Sequence, residues 1–594
     1  MESLLSIPKI KELCDKNKKL YKIVKNVKRH IKDNERYKKR IIKEFLLIKK
    51  NKFEKVFLHV ISILKMLNGF PHVIRGSAGS SLLCYLLGIT NFDPIEENIV
   101  LSRFMHKERM DMPDIDIDVP HYKHKEIFQK VYSKWGDRAA RISNHNMYSE
   151  KSAVREAIRD EGHRKFVPKN FTLKIIFKED EVVNRVKKQT KKYIGKLKCY
   201  SQHCGGVVIL DKQIPKEYLL ENKPKQLKLN KDQAEKEGLI KIDILSSRGL
   251  GQLWDIEQKA IIDYEYDSEV YKVFEEGNNI GITFGESPAM RKLFRINKPN
   301  SINDLADILG LVRPCASKSK NYVREMKNCG KSISNDLTPI IFDDDGTIII
   351  KGLLKCMDSE AELYRKAFSK GKENLIKLFR KKIRSHPESN LIINNLRFLK
   401  YYSFCKSHAF SYAQLLYALA YQKKYNAKKF WVAAINNCHS TYKKWVYYSE
   451  AMGSGLKLYI GNPPWKIVNN KMLMVEKKCQ QRLIIDDISD FKKYGYWTSG
   501  KFLNGMYCNF STLSNSDYQE EQYIEFRGLI ALSRRYMNND MDDTLTFVTI
   551  GYDFGKYLDL SIEGNKNVYG DIAEGTGYYR NHTCYVDDIK FSKI

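Results

Sequence analysis

The chain has 594 residues, with 103 Lys and Arg against 71 Asp and Glu, a formal charge of +32 at pH 7. That length provides several domains, each with its own core. A cationic excess of this size repels itself in a compact chain, so it points to a polyphosphate partner, and the lack of a bilayer-length apolar run or a signal peptide reads as a soluble, cytoplasmic protein with no membrane partner. The 12 cysteines form no C-x-x-C and no Cys/His set at zinc spacing, and they read as buried, reduced thiols.

In chain order, residues 1–36 are lysine-rich with sparse apolar positions and read as a basic helical segment, either an arm against nucleic acid or, the preferred reading, a solvated helix. Tyr37, Ile41, Phe45 and Ile48 then recur at helical spacing, and Val56 to Leu67 forms a second amphipathic helix closed by Asn68-Gly69. An extended piece, Pro71 to Ile74, feeds Arg75-Gly76-Ser77-Ala78-Gly79-Ser80-Ser81 and the apolar helix Leu82 to Leu87. Small residues between a strand and a helix N-terminus leave backbone N–H groups for an anion; taken alone, such a cluster is a turn.

Downstream lies Pro113-Asp114-Ile115-Asp116-Ile117-Asp118. In a strand the three aspartates share one face and the isoleucines the other, so one side is anchored in a core while the carboxylates repel one another unless cations sit between them. The other reading is a solvated acidic turn, which the isoleucine alternation disfavours. His121 and His124, set among lysines, read as exposed rather than metal-binding.

The ordered set Arg75-Gly76-Ser77, Leu87-Gly88-Ile89-Thr90, Asp93-Pro94, Arg103-Phe104, Glu108-Arg109 and Met112 to Asp118 resembles the palm of the bacterial C-family replicative DNA polymerases, the DNA polymerase III alpha family. Lys151 to Gly162 resembles that family's thumb entry, His203-Cys204-Gly205-Gly206-Val207-Val208 one of its strands, and Gly238 to Asp243 the strand carrying a third catalytic aspartate. Phe284, Glu286-Ser287, Arg313-Pro314, Arg365 with Ala367, and Lys406-Ser407-His408 with Tyr412 resemble its fingers. The resemblance implies an α/β multidomain fold: a polymerase beta-like nucleotidyltransferase palm with helical thumb and fingers. It divides the chain into palm at 37–140 and 198–260, thumb at 141–197, fingers at 261–440 and a degenerate post-fingers linker at 441–522.

By the same resemblance, Asp114, Asp116 and Asp243 are the catalytic ligands of two Mg²⁺ ions in a nucleotidyltransferase. Arg75, Gly76, Ser77, Arg313, Arg365, Lys406 and His408 meet the nucleotide, with His408 near the sugar, and Lys241 steadies DNA phosphate or balances the carboxylates. The implied partners are primer-template DNA and dNTPs, with a sliding clamp or a separate exonuclease beyond them. Asp118 stands as either a ligand or a supporting carboxylate. Ordinary members begin with a phosphoesterase-like domain for which there is no room ahead of this palm, and the reduced layout points to a phage. Gly285 and Cys315-Ala316 depart from the family's fingers pattern, which leaves a catalytically impaired DNA-binding scaffold as the alternative.

Asn462-Pro463-Pro464-Trp465 has the form of an adenine methyltransferase loop, but Gly453-Ser454-Gly455 lies too near it to be a cofactor loop and reads as a turn. From residue 523 the pattern predicts strands at Phe526–Ser533, Leu545–Ile550, Tyr557–Ile562, Asn567–Ile572 and Cys584–Phe591, with Gly564 and Gly575 among the breaks. Five such strands predict an OB-like barrel, with Arg534, Arg535 and Tyr536 as a single-strand-binding surface or, alternatively, a purely structural barrel.

Overall fold

The computed structural model describes residues 4–106, 115–163, 172–318, 340–437, 441–458, 465–468, 472–475, 522–537, 544–553 and 556–592. Asp114 and the Asn462-Pro463-Pro464 stretch fall outside these. Two compact units emerge, one of residues 1–109, 115–124 and 246–594, the other of 110–114 and 125–245.

The first unit begins with helices α1 (Pro8–Asp15) and α2 (Lys18–Val24). Ile10, Leu13, Leu20 and Ile23 are buried, so this basic stretch is not the solvated helix expected. Few apolar residues suffice because they recur on one face while the lysines stay in water. The Asn17 side chain accepts from the Lys19 and Leu20 N–H groups and donates to Glu54 at 2.8 Å, which ties the start of α2 to a later helix. Helix α3 (Glu35–Lys50) buries Tyr37, Ile41, Phe45 and Ile48 as their spacing predicts. Helix α4 (Glu54–Met66) buries Val56, Phe57, Val60 and Ile63. Strand β1 (Val73–Arg75) runs antiparallel to β2 (Ile115–Pro120), with Arg75 opposite Asp116 and Val73 opposite Asp118. Between them lie a tight turn at Gly76–Ser80 and helix α5 (Leu82–Leu86).

In the second unit, β3 (Ala139–Met147) pairs antiparallel with β4 (Leu197–Ile209) and parallel with β6 (Lys223–Leu227), beyond which lies β5 (Leu219–Leu220). Strand β7 (Lys241–Ser247) flanks β4 on its other side, with Asp243 opposite Gly206. The helical part of the expected thumb therefore starts at Glu150, because residues 139–147 are strand. The first part of β4 stands outside the core, which leaves Cys199 and Cys204 exposed, contrary to the expectation of buried thiols; Cys14, Cys84, Cys315, Cys405 and Cys584 are buried.

The rest of the first unit is largely helical. Helix Lys406–Tyr425 runs through its centre and is buried along most of its length, packed against helices Arg248–Ile256, Ser268–Glu275 and Ile302–Leu311. Helix Lys444–Gly453 contributes Trp445, Val446 and Tyr447 to the same core, so this piece of the expected linker is packed structure. A small sheet follows, formed by β8 (Lys457–Leu458), β9 (Trp465–Val468) and β10 (Met472–Val475).

Strands β11 (Gln522–Met537), β12 (Thr544–Asp553), β13 (Lys556–Glu563), β14 (Ile572–Arg580) and β15 (Thr583–Ser592) close into a barrel in the order β11-β12-β13-β15-β14. The β13–β15 contact is parallel and the other four are antiparallel. The fourth strand begins at Ile572, where the expected strand ended. Gly575 is no turn: a Cβ there would strike the Asp588 carbonyl, so glycine lets β14 and β15 approach beside a bulge. The barrel core is continuous with the helical core. At that junction buried Arg291 donates to the Tyr557 carbonyl at 3.4 Å and lies 4.0 Å from Asp559.

Candidate active site

Strand β2 keeps the predicted alternation, with Ile115, Ile117 and Val119 fully buried. Asp116 is half-buried beside its cross-strand neighbour Arg75. Asp118 is 3% exposed; Arg75 Nε lies 2.9 Å from one of its oxygens, and the Tyr412 hydroxyl donates to the other at 2.7 Å. Burial pushes the Asp118 carboxyl above its ordinary range, while Arg75 and Tyr412 pull it back. Both oxygens are thus committed to protein groups. Of the two alternatives for Asp118, this geometry is that of a supporting carboxylate: it aims Arg75 and fastens β2 to helix Lys406–Tyr425.

The turn after β1 makes close contact with that helix. Gly76 has φ +73°, a conformation that favours glycine, and its carbonyl accepts from Ser407 Oγ at 2.7 Å. A Cβ on Gly79 would lie 3.0 Å from the Ser407 Cβ. The N-terminus of α5 is not an open anion site: fully buried Glu44 accepts from the Ser81 hydroxyl at 2.7 Å and from the Leu82 and Leu83 N–H groups at 2.9 and 3.0 Å. Arg40 donates to the same carboxylate at 2.8 Å. The protein supplies its own anion there, and Arg75, Gly76 and Ser77 remain the partly exposed portion of the turn. Glu44 was missed from sequence, although a lone glutamate within the apolar stripe Ile41-Phe45-Ile48 is the kind of signal that could have revealed it.

Two of the expected fingers residues gather around the same tyrosine. The His408 ring stacks on Phe404 at 4.2 Å and meets Tyr412 at 4.9 Å, while the Arg313 guanidinium sits 3.9 Å over Phe404. Burial first, then Arg75 and Arg313, lowers the His408 pKa to about 3, so the ring is neutral at working pH. Lys406, on the first turn of the helix, donates to the Glu97 carbonyl at 2.9 Å. Arg365 is placed differently. It is 5% exposed and bonded to Glu362 at 2.7 and 3.0 Å, in a network where Arg103 reaches Glu362 and Asp343 at 2.9 Å each. Its guanidinium belongs to the core, not to an open surface.

In the second unit, Asp243 is 7% exposed. Lys241, two residues earlier on the same strand face, contacts its Oδ2. Among the described residues its Oδ1 has no hydrogen-bond donor, and it faces His203 Nδ1 at 3.7 Å. That nitrogen already accepts from the Gly205 and Gly206 N–H groups at 3.2 and 2.8 Å, so it holds no proton to offer, and burial lowers the histidine's pKa. A buried carboxylate oxygen opposed by a lone pair suits a hard cation. Among the described residues no group of three or more His, Cys, Asp or Glu side chains could hold a metal; His121 and His124 are partly buried rather than exposed. Arg534 and Arg535 are exposed on β11, with Arg535 donating to Asn567 at 3.2 Å. Among the described residues no helix is long and apolar enough to cross a membrane.

Residues 9–246 match the family model described as the bacterial DNA polymerase III alpha NTPase domain, and residues 241–390 match that of the alpha subunit finger domain. These are successive domains of one class of protein, a DNA polymerase. The chain belongs to the bacterial DNA polymerase III alpha family. It is 25% identical over 579 residues to the DNA polymerase III subunit alpha of Streptococcus pyogenes serotype M6, covering 86% of this chain and 54% of the relative. The Bacillus subtilis and Aquifex aeolicus proteins of the same name are 27% and 26% identical, over 72% and 68% of this chain and 43% and 42% of their own. The chain spans about half the length of the relatives it matches.

Proposed function

We propose that this chain performs template-directed DNA synthesis, transferring a nucleotidyl group from a dNTP to a primer 3′-hydroxyl, with Asp114, Asp116 and Asp243 as ligands of two Mg²⁺ ions. The observation that carries the reading is the buried Asp243 carboxylate, one oxygen of which has no hydrogen-bond donor among the described residues, in a chain whose residues 9–390 match the family. When bound, the magnesium pair lowers the pKa of the attacking hydroxyl and neutralises the departing pyrophosphate. The protein's own part is positioning. Gly76 lets phosphate approach the backbone, Ser77 adds a hydroxyl, and Arg75, aimed by Asp118, adds charge. Arg313 and Lys406 extend that cationic wall, and the rigid His408 ring excludes a ribose 2′-hydroxyl. Arg365 acts from behind by holding Glu362. Lys241, in contact with the Asp243 carboxylate, balances its charge or steadies DNA phosphate. The strand order and single parallel contact of the barrel support an OB-like fold, with Arg534 and Arg535 on a single-stranded template.

Primer extension with Mg²⁺, run beside duplex binding by fluorescence anisotropy, tests the proposal. Wild type should extend; Asp116→Asn and Asp243→Asn should lose about a thousandfold in rate while binding duplex normally. A wild-type chain that binds primer-template without extending it would establish the scaffold reading, and an Asp243→Asn enzyme as fast as wild type would remove the metal assignment.

A further inference from the structure

Phe284 holds φ +71°, a genuine outlier for a bulky side chain, yet 41% of the residue is exposed. Its surroundings over-determine that backbone. Asn279 donates to the Gly285 carbonyl, the Gly281 N–H donates to Glu286 at 3.0 Å, Gln252 donates to the Gly281 carbonyl at 3.0 Å, and Thr283 donates to Gln252 at 3.0 Å. What this turn presents is one aromatic face. The Phe284 ring lies 4.4 Å from the Tyr412 ring, and Tyr412 is fixed in turn by Asp118 and His408. The ring is thus rigid from beneath and open above, where it lines a cleft of about 200 Å³ with Arg248, Thr283, Glu286, Ser287, Asn437 and Thr441; the Glu286 carboxylate accepts from the Gly281 N–H and the Tyr447 hydroxyl. Arg248 is exposed and makes no ion pair with any described residue.

We propose that Phe284 is a stacking platform for a nucleobase, with Arg248 taking the phosphate of the same or the adjoining nucleotide. An aromatic face beside an exposed guanidinium is the chemistry that recognises a nucleotide, since every base offers a π-face and stacking is tolerant of sequence. The Tyr412–Asp118–Arg75 chain links this platform to the Gly76-Ser77 turn, which makes it part of the polymerase site proposed above, on which this inference rests. A protein without that need would gain by placing glycine or asparagine at such a φ. The nucleobase has two sources, the incoming dNTP or the templating strand.

2-Aminopurine fluorescence distinguishes them without requiring turnover. The probe is supplied either as its deoxynucleoside triphosphate or within the template opposite the primer terminus, and its quenching by full-length protein is compared for wild type, Phe284→Trp, Phe284→Leu and Phe284→Gly. Wild type and Phe284→Trp should quench, whereas the leucine and glycine variants should lose the quenching and bind that probe roughly tenfold more weakly. Loss confined to the triphosphate assigns the platform to the incoming nucleotide, and loss confined to the template probe assigns it to the template. Phe284→Gly relieves the backbone strain while removing the ring, so a defect shared with Phe284→Leu cannot come from misfolding of the turn. Unchanged quenching and affinity in both variants would overturn the proposal. If wild type fails to extend primers, the polymerase reading falls while the quenching comparison still decides the platform.

Discussion

Replacing Asp118 with asparagine separates a supporting carboxylate from a metal ligand. The substitution keeps shape and removes one charge. The Tyr412 hydroxyl at 2.7 Å can still donate to an amide oxygen, but Arg75 Nε at 2.9 Å loses its anion. Contacts to a charged partner contribute about 1.5–3 kcal/mol each. Because the Arg75 side chain is 27% exposed, water replaces part of what it loses, and the net cost should be about 2 kcal/mol. Urea unfolding followed by tryptophan fluorescence reads that cost, and steady-state primer extension reads the consequence. With Arg75 no longer aimed, the KM for dNTP should rise several-fold while the Mg²⁺ concentration at half-maximal rate stays put. An Asp118→Asn protein of wild-type stability that needs tenfold more Mg²⁺ would refute this reasoning and make Asp118 a ligand.

Glu362→Gln should be the more damaging change, costing about 3–5 kcal/mol in denaturant unfolding, because it leaves the half-buried Arg103 and buried Arg365 guanidiniums to share Asp343; a loss below about 1 kcal/mol would contradict the network. His72 and His408 have pKa values lowered by burial to about 4 and about 3. The unfolded histidines take up protons below about pH 6.5 while the folded ones do not, so stability is full above that pH and falls as pH drops toward 4, by about 1.4 kcal/mol per pH unit for each histidine. His408→Gln should flatten that slope by one histidine's share, as measured by urea titrations across pH. His408→Ala should raise ribonucleotide incorporation, and wild-type sugar selectivity should be constant between about pH 6 and 8 because the ring does not titrate there; unchanged selectivity in the variant would remove the steric role. Gly575→Ala should loosen the β14–β15 pairing and cost the barrel about 3 kcal/mol, seen as faster amide exchange in both strands.

Local pattern made much of this fold legible. Period-two alternation around Asp116 and helical spacing from Tyr37 each produced the element expected, because strand and helix faces are set by residues two to four apart. The barrel strands were legible for the same reason, except where Gly575 imitated a turn. A glycine required for close approach and a glycine required for reversal look alike in one dimension.

The residues alone determined the family, the Gly-Ser turn and the carboxylate strand. Tertiary structure decided what those groups are free to do. Asp118 is spent on Tyr412, 294 residues away, and Arg103 on Glu362, 259 away, while Glu44 closes an amide pocket that otherwise looks open to phosphate. The physical reason is that a buried charge must find a partner wherever the chain has brought one. Such pairings depend on three-dimensional proximity, and they leave no periodic trace in the order of residues.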